Sequence, residues 1–205
     1  MAKFVHLLSG GLDSTVLLYD LLDQGHKAHC ILYDYGQRHI KELGFAEATC
    51  AKLGVKYDKI TLPHQLFDRC AMTNPDGQPL VGQPTIVPNR NMVLIAMAAS
   101  YALSHGCTAV SCAINSDDAE VYPDCRAEFI KNLNFALRCC HTRRMEVHVP
   151  YIVRTKAKVV EIGRRLNVPL GETWSCYAGG DEPCGQCGAC QVRLKAIADA
   201  GHAHQ

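Results

Sequence analysis

A chain of 205 residues with a formal charge of +1 and 20% charged residues is long enough for one domain with a substantial core. Its near-neutral balance gives no overall electrostatic case for nucleic acid or an acidic membrane. The longest apolar stretch, Met92 to Leu103, is too short to span a bilayer and carries Ser100 and Tyr101.

Met1-Ala2-Lys3 leads directly into the apolar run Phe4 to Leu8 rather than into a signal peptide, so a cytoplasmic protein is expected. That run reads as a strand, and it stops at Ser9-Gly10-Gly11. Thr15 to Leu22 has helical apolar spacing; Ala28 to Tyr33 reads as a second strand after the breaker Gly25. His39 to Leu53 follows as a helix with Leu43, Ala46 and Cys50 on one face, ended by Gly54, and Lys56 to Leu62 as a third strand. From Pro63 to Pro88 the pattern breaks: Pro75, Gly77, Pro79, Gly82 and Pro84 predict a long loop of the kind that serves as a functional lid. The rhythm resumes with a helix from Asn91 to Ser104, a strand at Ala109 to Ala113 and a helix from Asp124 to Leu137. A strand at Met145 to Val149 and a helix from Lys156 to Leu166 complete it.

Short apolar strands alternating with helices predict an α/β fold, a Rossmann-like parallel sheet with helices on both faces. No linker divides two large domains. The expected organisation is a catalytic domain over residues 1–170 and a small C-terminal lobe over residues 171–205, whose last residues, from Ala200, are expected to fray.

The run Ser9-Gly10-Gly11-Leu12-Asp13-Ser14 lies between the first strand and the first helix, where an anion is best received. Glycines let backbone approach a phosphate closely, and free amides and the dipole of the following helix favour negative charge. Ser9 and Ser14 add hydroxyl donors. Asp13 would repel bare phosphate, and makes sense as a holder of Mg²⁺ or as a helix N-terminal carboxylate. No lysine stands where a Walker loop needs one.

Near the other end Cys176, Cys184, Cys187 and Cys190 have the spacing Cys-x7-Cys-x2-Cys-x2-Cys, with glycines at 179, 180, 185 and 188 for tight turns. Four thiolates suit a closed, structural tetrahedral Zn²⁺ site; an iron–sulfur cluster remains the alternative. The other eight of the twelve cysteines are scattered through helix- and strand-like segments as small hydrophobes or incidental thiols, which fits a reducing compartment. Arg138 to Arg144, with Cys139, Cys140 and His141, reads as a basic helix end rather than a second metal site.

SGGxDS resembles the signature of the PP-loop ATP pyrophosphatase superfamily. Four further stretches narrow the likeness: Asp34-Tyr35-Gly36-Gln37-Arg38-His39; Val87-Pro88-Asn89-Arg90-Asn91; Tyr122-Pro123-Asp124-Cys125-Arg126, with Asp117 and Asp118 upstream; and Thr173 to Tyr177 with the CGxCxxC run. In this order, from Phe4 to about Lys195, they closely resemble the 7-cyano-7-deazaguanine synthase family.

The resemblance implies an ATP-dependent carbon–nitrogen ligase that turns 7-carboxy-7-deazaguanine and ammonia into the nitrile, through an adenylated carboxylate and an amide. It implies structural Zn²⁺, Mg²⁺ with ATP, a homodimer, and no direct contact with nucleic acid. ATP is expected at Leu8, Ser9, Gly10, Gly11, Leu12, Asp13, Ser14 and Thr15. Catalysis is expected at Asp13, Ser14, Arg90 and Lys156, and the base at Gln37, Arg38, Arg90, Asn91, Tyr122, Asp124 and Arg126. Plain readings stand beside these: Asp124 as a helix cap, Lys156 as a solvated lysine, His39 as structural rather than a general base. Alternatives of function are a relative that stops at the amide or activates another carboxylate, and a PP-loop enzyme that modifies RNA, for which this chain lacks a basic surface.

Overall fold

The computed structural model describes residues 1–74 and 85–202. Five strands, β1 (Lys3–Leu7), β2 (Lys27–Asp34), β3 (Tyr57–Thr61), β4 (Ala109–Ser111) and β5 (Glu146–His148), form one sheet in the order β3-β2-β1-β4-β5. Every pairing is parallel. Among the described residues seven α-helices accompany it: α1 (Leu12–Asp23), α2 (Glu42–Leu53), α3 (Arg90–Ser104), α4 (Ser116–Val121), α5 (Ala127–Cys140), α6 (Lys156–Arg165) and α7 (Gly188–His202). The α/β architecture and the strand positions are those the apolar spacing predicts.

Parallel strands must be covered on both faces, and alternate residues go to opposite sides. In β2, Ile31 and Tyr33 join the core under α3 and α5, whereas Cys30 and Leu32 pack with Leu18, Leu43, Ala46 and Cys50 of α1 and α2. α2 ends as expected at Gly54, whose φ of 64° closes the helix in the left-handed region. β1 is the switch point of the topology, with β2 on one side and β4 on the other. A crevice at the C-terminal ends of the strands opens there, and the glycine loop sits in it.

Two helices were not foreseen. α4 is one and a half turns, capped by Asn115, whose side chain accepts the Asp117 and Asp118 amides; so short an element carries no periodicity to read. α7 runs through Ala200 to His202 where fraying was expected, because Ala196 and Ala200 are buried against Val16, Tyr151 and Val159. Of the loop expected from Pro63 to Pro88 as a lid, residues 63–74 and 85–88 are described. A 3₁₀ turn at His64–Leu66 is followed by Phe67 and Met72, which with Val87 are buried in the core, so these parts are packed down. Residues 75–84 lie outside the described residues, as do the last three.

Candidate active site

The glycine loop is a set of interlocking hydrogen bonds. Ser14 Oγ lies 3.2 Å from the Ser9 amide, 3.0 Å from Ser9 Oγ and 3.2 Å from the Gly11 carbonyl, and Ser9 Oγ accepts the Gly11 amide at 3.2 Å. Gly10 has φ 85°, and a methyl group there would lie 2.0 Å from the Glu42 carbonyl oxygen, so α2 and the loop touch backbone to backbone. The Gly10 carbonyl in turn accepts the Trp174 amide at 2.9 Å.

Beneath the loop, His6 is fully buried. Its Nε2 lies 2.9 Å from the Ser14 carbonyl and its Nδ1 2.9 Å from Ser111 Oγ. A carbonyl can only accept, so Nε2 carries the proton and Nδ1 accepts from the serine. Burial holds this imidazole neutral, its pKa lowered to about 4.

Lys156, the first residue of α6, reaches Asp13, Nζ to Oδ2 2.5 Å. Its own amide is held by Asp117 Oδ2 at 2.9 Å. Burial works against the lysine's charge, but Asp13, Asp118 and Asp117 more than offset it, and its pKa is raised. Asp118 is pushed up to about 6, mainly by burial and against the pull of Lys156. Asp13 Oδ1 and Thr15 Oγ1 are buried without a protein partner. An orphaned carboxylate oxygen beside a phosphate loop fits a hard, oxygen-seeking cation.

The loop forms one end of a cavity of about 480 Å³. Leu8, Ser9, Gly11, Leu12, Asp13, Ser14, Arg90, Asn91, Tyr122 and Lys156 all line it. Gly10 and Thr15 are buried behind its wall. Gln37 does not face it: its side chain bonds the Tyr35 amide, the Tyr33 carbonyl and Glu42, which fixes the turn before α2. Arg38 is outside the lining, with its amide on the Met72 carbonyl. Asp124 accepts the Asn91 amide at 3.3 Å, capping α3 from a neighbouring 3₁₀ turn, and Arg126 is exposed with Nε on the Ala119 carbonyl. Of the residues expected to meet the base, the cavity therefore gathers Arg90, Asn91 and Tyr122.

Sequence reasoning gave no role to four further residues of the cavity wall: Tyr35, Glu42, Trp174 and Tyr177. Burial pushes the Glu42 carboxyl up to about 8, opposed by Arg90 and Gln37. His39 lines the wall too, buried, in ring contact with Tyr177 at 5.2 Å; burial, then Arg90, lower its pKa to about 3, so it stays neutral. The segment Trp174 to Tyr177 runs directly into the cysteine group, so that group braces this wall.

The thiols of Cys176, Cys184, Cys187 and Cys190 lie within 4.8 Å of one another. A tetrahedral metal at Zn–S distances needs sulfurs roughly 3.8 Å apart, so the set fits one metal with small adjustment. Arg193 of α7 ties the lobe to the wall through the Thr173 hydroxyl at 2.7 Å, Ser175 Oγ at 3.1 Å and the Leu170 carbonyl at 2.6 Å. Cys139 and Cys140 are exposed at the end of α5 and join no metal-ligating group among the described residues.

A doubly wound parallel sheet with SGGLDS at its switch point defines a PP-loop-type nucleotide-binding protein. Solved structures agree on the fold: a U34-tRNA thiolase from Methanococcus maripaludis, determined with its [4Fe-4S] cluster, matches with a TM-score of 0.57 at 18% identity, over 99% of this chain and 67% of that one. An NMN synthetase from Francisella tularensis matches with a TM-score of 0.56 at 16% identity, over 98% and 77%. The family model described as "Queuosine biosynthesis protein QueC" matches residues 3–201. A 7-cyano-7-deazaguanine synthase of Methanoregula boonei is 40% identical over 98% of this chain and 96% of its own length; one of Archaeoglobus fulgidus is 42% identical over 95% and 85%. The chain belongs to this queuosine-biosynthesis synthase family. No helix among the described residues is long and apolar enough to cross a membrane.

Proposed function

We propose that the protein converts 7-carboxy-7-deazaguanine and ammonia into 7-cyano-7-deazaguanine with ATP, as a cytoplasmic homodimer. The observation that carries this reading is the Asp13–Lys156 pair beside the glycine loop, lining one cavity with a partly buried arginine and a buried carboxyl. A carboxylate is a poor electrophile. Attack of its oxygen on the α-phosphorus of ATP expels pyrophosphate and leaves an acyl adenylate. Ammonia then displaces AMP and loses a proton to give the amide. A second adenylation, at the amide oxygen, lets AMP leave as the nitrogen gives up its protons, which forms the nitrile.

The chain's own groups serve the charge changes. Loop amides and the Ser9 and Ser14 hydroxyls hold the phosphates, and Lys156 faces the charge that grows on the departing pyrophosphate. Asp13, with Asp118 beside it, would hold Mg²⁺, which neutralises phosphate charge when bound. Four thiolates close a tetrahedral site with no open position, so we read the metal as structural Zn²⁺ that pins residues 171–205 and the Trp174–Tyr177 wall.

The test is incubation of the purified protein with 7-carboxy-7-deazaguanine, ATP, Mg²⁺ and ammonium, with products resolved by mass spectrometry. Nitrile, AMP and pyrophosphate are expected, with turnover lost in Asp13→Ala. Accumulated amide would mean a variant halted after the first activation. An untouched carboxylate, in the presence of folded metal-loaded protein, would overturn the substrate. Elemental analysis of the same sample should give one zinc per chain; iron and sulfide would replace zinc with a cluster.

A further inference from the structure

The far wall of the cavity carries an acid and a base that the phosphate chemistry leaves unused. Glu42, the first residue of α2, is only 8% exposed yet lines the cavity. Its Oε1 lies 3.3 Å from Gln37 Nε2 and 3.4 Å from His39 Nε2; among the described residues no donor contacts Oε2. Arg90, the first residue of α3, enters from another element and donates Nη1 to the Tyr35 hydroxyl at 3.2 Å. Both face one cavity, and among the described residues no ion pair joins them. Buried ionisable groups are costly unless paired. A partly buried guanidinium and a buried carboxyl that share a cavity without touching are suited to a ligand that bridges them.

The pair is complementary to one kind of edge. A 2-amino-4-oxopyrimidine ring, as in guanine and its 7-deaza analogues, presents an oxo acceptor, a ring N–H and an amino N–H side by side. A guanidinium next to a carboxylate supplies the matching donor and two acceptors. Adenine offers one amino donor beside a ring nitrogen acceptor, and a carboxylate would face that lone pair. The other acidic candidates are engaged: Asp118 accepts the Asn115 amide nitrogen Nδ2 at 2.8 Å and sits with Lys156, and Asp124 is on the Asn91 amide. Tyr35 and Tyr177 supply flat apolar faces beside the pair.

We propose that Glu42, with Arg90 beside it, reads the 2-amino-4-oxo edge of the base and is the specificity-determining residue of this site. The assignment rests on the proposed function for its choice of a carboxylated deazaguanine, but it concerns the edge rather than the carboxylate. The groups that face Glu42 are Gln37, neutral His39, the Tyr35 hydroxyl and the Arg90 cation, so two incoming N–H donors would complete the stabilisation of its ionised form.

The test is calorimetric binding to the metal-loaded full chain of 7-carboxy-7-deazaguanine, of its analogue lacking the 2-amino group, of guanine and hypoxanthine, and of a non-hydrolysable ATP analogue. Wild type should prefer each amino-bearing base over its partner by about 100-fold, since a site built for a hydrogen-bonding group rejects a ligand that leaves it unpaired. Glu42→Gln keeps the shape but replaces an acceptor by a donor, and its preference should fall to within about 5-fold, with ATP-analogue affinity unchanged. Glu42→Asp, which keeps the charge, should retain the preference at weaker affinity and covers the case in which Glu42→Gln does not fold. An undiminished preference in Glu42→Gln, or loss of the ATP analogue in place of the base, overturns the assignment. Wild type that ignores the carboxylated base but binds guanine through Glu42 sinks the proposed substrate and keeps the edge assignment. Wild type that binds no base sinks both.

Discussion

The two ends of the cavity are built by opposite means. The proposed phosphate end comes from one run of six residues, Ser9 to Ser14, and offers backbone amides and two hydroxyls held in a ring of hydrogen bonds. The far end is assembled from side chains of separate elements: Tyr35 after β2, Glu42 on α2, Arg90 on α3, Tyr177 beyond α6. An anion needs amides and a helix terminus, which contiguous chain can supply. Reading the edge of a base needs donors and acceptors converging from several directions, which takes a whole fold. The first end suits any nucleoside triphosphate; the second is where a particular substrate would be chosen.

The ends meet at Gly10, and the strongest way to break the comparison is there. Gly10→Ala puts a methyl 2.0 Å from the Glu42 carbonyl and 3.0 Å from the Ala46 amide, at a φ of 85°. Backbone cannot yield as a side-chain tip does, so α2 must move away from the loop. We expect a loss of about 3 kcal/mol or more in urea denaturation, with ATP-analogue and base binding failing together.

Lys156→Ala should separate the ends. It leaves the partly buried Asp13 without its cation and removes the charge proposed to face the phosphates. Turnover should fall by about 100- to 1,000-fold, in the range lost when one preorganised electrostatic group is removed. Base affinity, read at the far wall, should stay within about 3-fold in the same calorimetric series. A comparable loss of base binding would mean that the two ends are one site.

The same contrast explains what the sequence disclosed. SGGLDS and the four cysteines are legible because their chemistry depends on local spacing: glycines that admit close approach, and Cys184, Cys187 and Cys190 with two residues between successive thiols. Strands and most helices follow from apolar periodicity. Glu42 carries no such signal. It is an ordinary acidic residue at a helix start, and only the packing of α2 against the loop turns it into a buried carboxyl. His6 looks like one polar residue in a strand, yet the pairing of β1 with β4 brings it to Ser111. Asp124 shows the converse. Its motif marked it for the base, but its carboxylate lies on the Asn91 amide, because the 3₁₀ turn at Pro123–Cys125 packs against the start of α3.

A smaller effect sharpens the far end alone. Burial pushes the Glu42 carboxyl up to about 8 in the folded protein, from an ordinary 4.5. Below the lower value both states are protonated. Above it the unfolded chain ionises first, so stability drains as pH rises toward 8. The loss should approach about 1.4 kcal/mol per pH unit between pH 6 and 8. Other groups titrate in this window, Cys184 in the metal-free protein among them, with its thiol lowered to about 6 by backbone amides. The difference between wild type and Glu42→Gln cancels them. Urea denaturation of both at pH 6 and 8 should show wild type losing ground to the variant by about 2 kcal/mol. Parallel pH dependence in the two would mean that Glu42 is ionised at neutral pH.

The smallest effect distinguishes reading a base from positioning its reader. Asp124 touches α3 at its first turn: Oδ2 accepts the Asn91 amide at 3.3 Å, and the Asn91 side chain returns Nδ2 to the Asp124 carbonyl at 3.3 Å. Arg90 is the residue before, so Asp124 sets the terminus from which the guanidinium reaches the cavity. Asp124→Ala leaves one helix-end amide without its acceptor and removes a negative charge from a helix N-terminus, which costs about 1 kcal/mol. A reader of the base edge would lose the 2-amino preference altogether. A positioning residue should weaken both bases of a pair equally, by about 2- to 5-fold for a misplaced Arg90, and leave the ATP analogue untouched. Loss of the preference in Asp124→Ala, with Glu42→Gln unaffected, would move the recognition of the base from α2 to the Tyr122–Arg126 turn.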